Sequence, residues 1–562
     1  MLWPETPVVK PSTHPSSSAL ARPTLGPLAP YDAVFSRFVW PDMARFNIAK
    51  ACCDVYAEAE PDRPAIIEVS PDFQTTTLTY GAMRKAADQL AHAFIRAGVR
   101  AGDRVAILLP QGRHVPIAHM AVYKIGAIAL PLAALFGADA LAYRLADSGA
   151  KLIITDASGA AKLKPLRVGA PMLEQVVSID GDGDGAVGFA RFIEGLPERF
   201  ETRPSSGDDP ALMIYTSGTT GQPKGALHAQ RVLMGHLPGV EMSHDFVPQA
   251  GDLFWTPADW AWAGGLLNIL LPGLFLGVPV VAWPFQKFDP EASFAMMSRI
   301  GVRNAFIPPT GLRLMRTVKD PVKRFGMPLR TLGSGGESLG TPTFEWGREV
   351  LGLPINEFYG QTECNLVLAS SHAMNVARAG MIGKPVPGHR VAVIREDGLM
   401  AEVGERGQIA ILRPDPVMFL GYWNRPEATA EKFIGDWLMT GDQGAVDEDG
   451  YIGFTGRDDD LITSSGYRIG PVEIEDCLIK HPAVALAAVI GKPDPVRTEI
   501  VTAFLVLKPG FAESVALEQE IRLFVRERLS AHEYPREIHF IRDMPLTTTG
   551  KIIRRELRDR VS

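Results

Sequence analysis

The stretch Tyr215 to Gly225 reads YTSGTTGQPKG, which places three glycines, four small hydroxyl residues and one lysine directly after the apolar run Leu212 to Ile214. Glycines such as Gly218 let backbone N–H groups close on an anion. The hydroxyls of Ser217, Thr219 and Thr220, beside Thr216, add donors, and Lys224 adds positive charge. The chemistry implied is the cradling of a polyphosphate. The Walker pattern G-x-x-x-x-G-K-[ST] is absent, since Pro223 precedes the lysine. A second segment, Gly336-Glu-Ser338-Leu-Gly340, matches the G-x-S-x-G elbow of serine hydrolases, with His372, His389, His481, His532 and His539 downstream. A hydrolase is therefore an alternative chemistry, although no oxyanion-hole motif accompanies the elbow.

Such loops need a rigid scaffold, and the rest of the chain supplies one. From about residue 78 an amphipathic pattern (Met83, Ala87, Leu90, Phe94, Ala97, closed by Gly98) precedes the apolar run Val105 to Leu109. The alternation continues, with helix-like stretches at Val115 to Gly126 and Ala138 to Gly149 and apolar runs at Leu152 to Thr155, Leu212 to Tyr215 and Asn304 to Ile307. This is the signature of parallel sheets covered by helices. After Gly388 the texture changes to closely spaced strands, His389 to Arg395 and Gln408 to Arg413, joined by turns such as Glu396-Asp-Gly398 and Glu448-Asp-Gly450. The fold class expected is α/β: a large N-terminal body of helix-covered sheets plus a β subdomain, then a small mobile α+β C-terminal domain. The boundaries expected are an extended Pro-rich arm at 1–40, a catalytic domain at 41–457 and the tail domain at 458–562.

Composition excludes several classes. The 562 residues are 46% hydrophobic and 22% charged, with 54 Gly and 45 Pro, as in a loop-rich globular protein rather than a collagen or coiled coil. Net charge is −7 with no long basic run, so no nucleic-acid partner is expected. Leu266 to Trp283 is almost wholly apolar, but Pro272-Gly273 and Gly277-Val278-Pro279 should break it into a buried helix and a strand, so no membrane span is expected. Cys52, Cys53, Cys364 and Cys477 cannot build a dense disulfide framework and fit a reducing cytoplasm. No Cys/His spacing of zinc type occurs. Nothing in the sequence sets an oligomeric state.

YTSGTTGQPKG resembles the signature loop of the AMP-forming acyl-CoA synthetase, luciferase and adenylation-domain superfamily. The likeness extends, in the family's order, through Ala258-Asp-Trp-Ala-Trp262, Gly333-Ser-Gly-Gly-Glu337, Tyr359-Gly-Gln-Thr-Glu363, Thr440-Gly-Asp442, Gly456-Arg-Asp-Asp-Asp460, Gly466-Tyr-Arg468 and Pro545 to Lys551. GYRIGPVEIED at Gly466 to Asp476 and the EYP at Glu533 to Pro535 are most similar to the acetyl-CoA and medium-chain acyl-CoA synthetase branch. The resemblance implies an acid–thiol ligase. A carboxylate attacks the α-phosphate of MgATP to give acyl-AMP and pyrophosphate, and the thiol of coenzyme A then displaces AMP. Delivery of the acyl group to a carrier protein is the near alternative.

In this frame Glu363 holds Mg²⁺ and Thr362 bonds phosphate. Tyr359 and Gly360, with Gly335, Gly336 and Glu337, surround adenine, and Glu357 helps read its amino group. Asp442 takes the ribose hydroxyls, with Arg457 beside it and Arg468 near the phosphates. Lys551 bridges the carboxylate and the α-phosphate as charge builds between them. The tail turns about Asp459 between the half-reactions and brings Gly466 to the pantetheine path. The acyl pocket falls on Trp262, Ala263, Gly264, Gly335 and Gly360. Because most of these are small, the expected acid is medium-chain, branched or aryl, and Gly360→Trp is expected to shift preference towards acetate. The P-x-x-x-x-G-K at Pro545 to Lys551 matches a site of inhibitory acetylation in bacterial relatives, which implies a protein lysine acetyltransferase as partner.

Overall fold

The computed structural model describes residues 24–216, 222–285, 287–457, 460, 462–464, 467–494, 497–529, 534–547 and 551–561. Two mainly parallel sheets form the body. One runs, in spatial order, Gly421–Tyr422, Gly225–Ala229, Pro210–Tyr215, Ile128–Pro131, Arg104–Leu108, Leu152–Thr155, Gln175–Ser178 and Val187–Gly188. The other runs Lys384–Pro385, Cys364–Ala369, Ile355–Gln361, Thr331–Gly335, Asn304–Phe306, Phe254–Trp255, Val280–Ala282, Pro64–Val69 and Thr75–Thr79. Parallel strands require crossovers that bury both faces, and the helices between them do so.

The helix Tyr80–Arg96 shows how sequence sets these elements. The Thr79 hydroxyl accepts from the N–H of Ala82, Met83, Ala87, Leu90 and Phe94 are fully buried, and Gly98 follows at φ +85°. The helix Val232–Ser243 is buried along its whole length. Its Glu241, pushed up to about 7 by burial, accepts hydrogen bonds from the N–H and hydroxyl of Thr24 and the N–H of Leu25. Residues 24–40 are therefore not the extended arm expected: they hold a helix, Tyr31–Arg37, with Val34 buried, and the Tyr31 hydroxyl donates to the carbonyl of Pro385.

Leu266 to Trp283 is buried in the body as helical turns followed by the strand Val280–Ala282, as expected, but of the two expected breaks only the one at Gly277 ends the helix. The chain stays helical through Pro272 because that residue takes the second position of the segment Leu271–Leu276, after a wide turn at Leu266–Leu270. It ends at Gly277, whose φ of +70° suits glycine. No helix among the described residues is long and apolar enough to cross a membrane.

The β subdomain is an antiparallel sheet of Val391–Ile394, Arg406–Leu412, Trp437–Val446, Phe433–Ile434 and Ile452–Arg457. Beyond it, Tyr467–Ile469, Ile462–Ser464, Thr498–Leu507, Val484–Asp494 and Glu537–Phe540 form a separate sheet. The helices Pro471–Ile479 and Val515–Arg528 pack on it through Ile474, Leu478, Ile521 and Val525.

Candidate active site

Ligands of open α/β sheets gather at the carboxyl ends of parallel strands, and the motif residues emerge there. Pro210–Tyr215 and Gly225–Ala229 pair as a hairpin with Tyr215 opposite Gly225, and Thr216 N–H donates to the Lys224 carbonyl at 2.9 Å, closing the base of the loop. Ser217, Gly218, Thr219 and Thr220 lie outside the described residues. The half-buried Lys224 holds its ammonium 5.1 Å from the Tyr422 ring centre, and the Tyr422 hydroxyl donates to Oε1 of Glu363. One cation and one carboxylate are thus tied to the same tyrosine.

Glu363 is buried, and its carbonyl accepts from Phe419 N–H at 2.8 Å. No group of three or more His, Cys, Asp or Glu residues among the described residues could hold a metal by itself. A hard divalent cation favours carboxylate, phosphate and water oxygens, so Glu363 with the oxygens of a triphosphate fits Mg²⁺. Cys364, next in sequence, has its thiol pushed well up by burial and packs in the core.

The strand Ile355–Gln361 places Tyr359 and Gln361 on one partner. Both the Tyr359 hydroxyl and the Gln361 amide donate to Oδ2 of Asp442 at 2.6 Å, and Gln361 also reaches the Thr440 carbonyl at 2.8 Å. Arg457 lies opposite Asp442 in the β subdomain and Arg468 opposite Thr463 in the tail sheet; both are placed by their backbones only. Asp459 and Gly466 lie outside the described residues.

The segment after Thr331–Gly335 carries two glutamates that serve the loop itself. Oε2 of Glu337 accepts from the Thr310 hydroxyl at 2.9 Å and Arg313 at 3.3 Å; burial raises its pKa against the pull of Arg313. Glu357 is pushed up to about 8 by burial, and its Oε1 accepts Leu339 N–H at 3.0 Å. Glu357, expected to help read adenine, thus braces this loop through its Oε1. Ser338, the elbow serine, accepts Arg313 at its carbonyl, and no histidine among the described residues is hydrogen-bonded to it.

The tail reaches this loop. Cε of Lys551 lies 3.7 Å from where a Cβ on Gly336 would stand, and Lys551 is exposed. Its N–H donates to the Thr547 hydroxyl at 3.0 Å, and Thr547 N–H returns to the Lys551 carbonyl at 2.7 Å. Three residues on, Arg554 pairs with Glu475 at 2.6 Å and Asp460 at 3.7 Å. Asp476, on the helix that carries Glu475, accepts Thr341 N–H at 3.3 Å, and its Oδ1 lies 2.3 Å from where a Cβ on Gly340 would stand. The body glycine thus admits a tail carboxylate.

The acyl region departs from expectation. Trp262 meets Phe136 edge-on at 5.7 Å, and Ala263 is half-buried at the start of a short helix. A Cβ on Gly264 would stand 3.0 Å from the Phe306 ring, one on Gly335 2.5 Å from the Phe358 carbonyl oxygen, and one on Gly360 2.2 Å from Leu366 N. These three glycines do not open space; each lets a neighbouring ring or backbone approach, so they give no ground for a deep pocket. Gly360→Trp cannot fill a cavity there.

Comparison with known proteins bears directly on these motifs. Residues 53–423 match the family model "AMP-binding enzyme" and residues 473–551 the model "AMP-binding enzyme C-terminal domain". The chain belongs to the AMP-binding enzyme family. It is 32% identical to an acetyl-coenzyme A synthetase of Bacillus subtilis over 94% of each chain. It is 31% identical to a mitochondrial acyl-coenzyme A synthetase of Mus musculus over 92% of this chain and 91% of the other. Among solved structures, an anthranilate CoA ligase in complex with anthranoyl-AMP superposes with a TM-score of 0.85 at 28% identity, covering 92% of this chain and 98% of the other. A Brucella canis acyl-CoA synthetase does so with 0.74 at 35% identity, covering 95% and 99%.

In this AMP-binding enzyme, Tyr422, Gln361, Arg313 and Asp476 join the site without having been singled out from sequence. Gln361 lies inside a quoted motif. Tyr422 reaches Glu363 only because Gly421–Tyr422 pairs with Ala226 and Leu227. A direct check concerns Gly360. Gly360→Ala should push against the backbone of Asn365 and Leu366, displace the hairpin that carries Glu363, and lower ATP–pyrophosphate exchange about 100-fold for every acid alike. Exchange retained with acetate and lost with longer acids would instead place an open pocket at this position.

Proposed function

We propose that this chain is an AMP-forming acid–CoA ligase that works in two half-reactions through the residues above. The observation that carries the assignment of roles is the placement of the tail lysine, Lys551, over Gly336, beside the loop braced by Glu337 and Glu357. A carboxylate approaching a triphosphate meets like-charge repulsion, so cations must neutralise both partners before in-line attack. Lys224 faces the phosphates from the hairpin, and Lys551 lies between the entering carboxylate oxygen and the α-phosphate. The new bond joins carboxylate oxygen to α-phosphorus as the bridge to the β-phosphate breaks, and pyrophosphate leaves. Glu363 would hold the magnesium carried by ATP, which would supply charge withdrawal from the phosphates, and Thr362 would bond a phosphate oxygen. Asp442, held by Tyr359 and Gln361, receives the ribose, and Arg457 and Arg468 complete the nucleotide contacts. In the second step the coenzyme A thiol gives up its proton, its sulfur bonds the acyl carbon, and AMP leaves.

Division near residue 457 into a catalytic body and a tail that turns about Asp459 follows from one lysine and one thiol needing the same carbonyl. Gly466 then joins the pantetheine path. Four buried free cysteines fit a cytoplasmic setting. The exposed Lys551 is open to a protein lysine acetyltransferase, and acetylation would remove the charge that adenylation uses. The test is CoA-dependent AMP release across acetate to decanoate, benzoate and phenylacetate, with free CoA and a phosphopantetheinyl carrier protein compared as acceptors. Release with CoA supports the reading; release with the carrier protein alone reassigns the acceptor.

A further inference from the structure

His389, one of the histidines downstream of the elbow serine, is committed elsewhere in the core. Its Nδ1 donates to Oδ2 of Asp415 at 2.7 Å and its Nε2 to the Gly235 carbonyl at 3.1 Å, so the ring donates twice. The two side chains are 0% and 2% exposed. Trp40 covers the ring edge-on at 5.2 Å, and its own Nε1 donates to the Gly388 carbonyl at 3.2 Å. Polar groups this deep are tolerated when bonded, and here the bonds join three elements: the chain entering Val391–Ile394, the turn after Arg406–Leu412 and the buried helix Val232–Ser243.

Asp415 also shapes the chain that follows it. Its Oδ1 accepts Val417 N–H at 3.0 Å and its carbonyl accepts Met418 N–H at 3.1 Å, which folds residues 415–418 into a turn. Gly235 lets that turn lie against the helix, since a Cβ there would stand 2.5 Å from Val417 Cγ1 and 2.8 Å from Val417 N. From the turn the chain runs directly into the active site. Phe419 N–H donates to the Glu363 carbonyl at 2.8 Å, Leu420 N–H to the Leu227 carbonyl at 2.7 Å and Trp423 N–H to the Gly225 carbonyl at 2.7 Å, while the Tyr422 hydroxyl donates to Oε1 of Glu363. Residues 419–423 thus seat both the carboxylate that would hold magnesium and the hairpin that carries Lys224, and the His389–Asp415 pair fixes where they begin.

We propose that His389 and Asp415 are positioning residues for adenylation, acting through residues 417–423 to hold Glu363 and the Lys224 hairpin in register. The proposal rests on the acid–CoA ligase reading. Removing the Asp415 carboxylate leaves two buried donors, His389 Nδ1–H and Val417 N–H, without acceptors, so the turn must shift to find others. The shift passes to Glu363 and Lys224 along the bonds from Phe419, Leu420 and Trp423. Asparagine at 415 keeps the geometry: its oxygen accepts Val417 N–H, and its amide donates to Nδ1 of a ring whose Nε2–H stays on Gly235. The second half-reaction has no pyrophosphate to release and does not call on this end of the site.

The test compares the wild type with Asp415→Ala and Asp415→Asn by ATP–pyrophosphate exchange across a magnesium titration, by thiolysis of supplied acyl-adenylate, and by amide hydrogen exchange of the protein without nucleotide. In Asp415→Ala the exchange rate is expected to fall about 30-fold and the half-saturating magnesium concentration to rise about 10-fold, with thiolysis within about twofold of the wild type. The amides of Phe419, Leu420 and Trp423 should take up deuterium about 30-fold faster. Asp415→Asn should stay within about twofold of the wild type in every readout. If Asp415→Ala does not fold, His389→Asn, which keeps a donor for Asp415 and loses only the bond to Gly235, is expected to raise the magnesium midpoint about threefold, and an unmoved midpoint overturns the proposal. A damaged fold lowers both half-reactions together and leaves the midpoint where it was. That pattern, unchanged amide exchange at 419–423, or an Asp415→Asn no better than Asp415→Ala overturns the positioning role and leaves the ligase standing. A wild type that exchanges pyrophosphate with no acid overturns the ligase reading instead, while the amide exchange still decides whether the pair holds residues 419–423.

Discussion

Lys551→Ala is expected to lower ATP–pyrophosphate exchange ~1,000-fold while thiolysis of supplied acyl-adenylate stays close to the wild-type rate. The split follows from where the lysine sits. Its backbone is fixed by the reciprocal bonds with Thr547, and the segment that follows is anchored by Arg554 on Glu475 and Asp460. The ammonium therefore arrives at the nucleotide loop on a braced support and loses little freedom when negative charge develops before it. Thiolysis begins from an acyl-AMP in which that charge has already been neutralised by the new bond, so the lysine has no part left to play. Rapid mixing with synthetic acyl-AMP isolates the second step, and equal loss of both steps would remove Lys551 from its assigned role. Asp476→Ala should move in the same direction more weakly, since it releases the tail from Thr341 and Gly340 without removing the cation.

Glu363→Gln is expected to lower adenylation about 100-fold and to raise the magnesium concentration needed for half-maximal rate. The amide keeps the shape of the side chain and can still meet the Tyr422 hydroxyl, so the hairpin from Gln361 to Cys364 should stay in place. What it loses is the formal charge that a hard cation prefers over a neutral oxygen. Tyr422→Phe makes the complementary test: the carboxylate remains but loses its anchor, and the cost should be smaller. A magnesium titration of exchange rates in the three proteins separates loss of charge from loss of position. An unchanged magnesium requirement in Glu363→Gln would move the metal elsewhere.

The parts of the site that are local in sequence are legible from residue types and spacing alone. The hairpin loop, the strand that feeds it and the alternation of helices and strands all follow from side-chain types within a few residues of one another. Contacts that join distant segments are not. Tyr422 to Glu363, Gln361 to Asp442 and Asp476 to Gly340 each depend on how separate strands or domains register, which no local pattern encodes. Glycine misleads for a physical reason. Its letter reports a missing side chain but not whether the space belongs to a ligand or to the protein, and at Gly264, Gly335 and Gly360 the protein fills it. Proline misleads in the same way at Pro272, where the second position of a helical segment needs no N–H donor.

The central claim is that a carboxylate oxygen of the substrate bonds the α-phosphorus of ATP. It is tested most directly by giving the enzyme an accepted acid whose carboxyl oxygens carry a heavy isotope, and weighing the AMP and pyrophosphate released with coenzyme A. The account predicts one labelled oxygen in AMP and none in pyrophosphate. Labelled pyrophosphate, or acyl-CoA formed with unlabelled AMP, would contradict it.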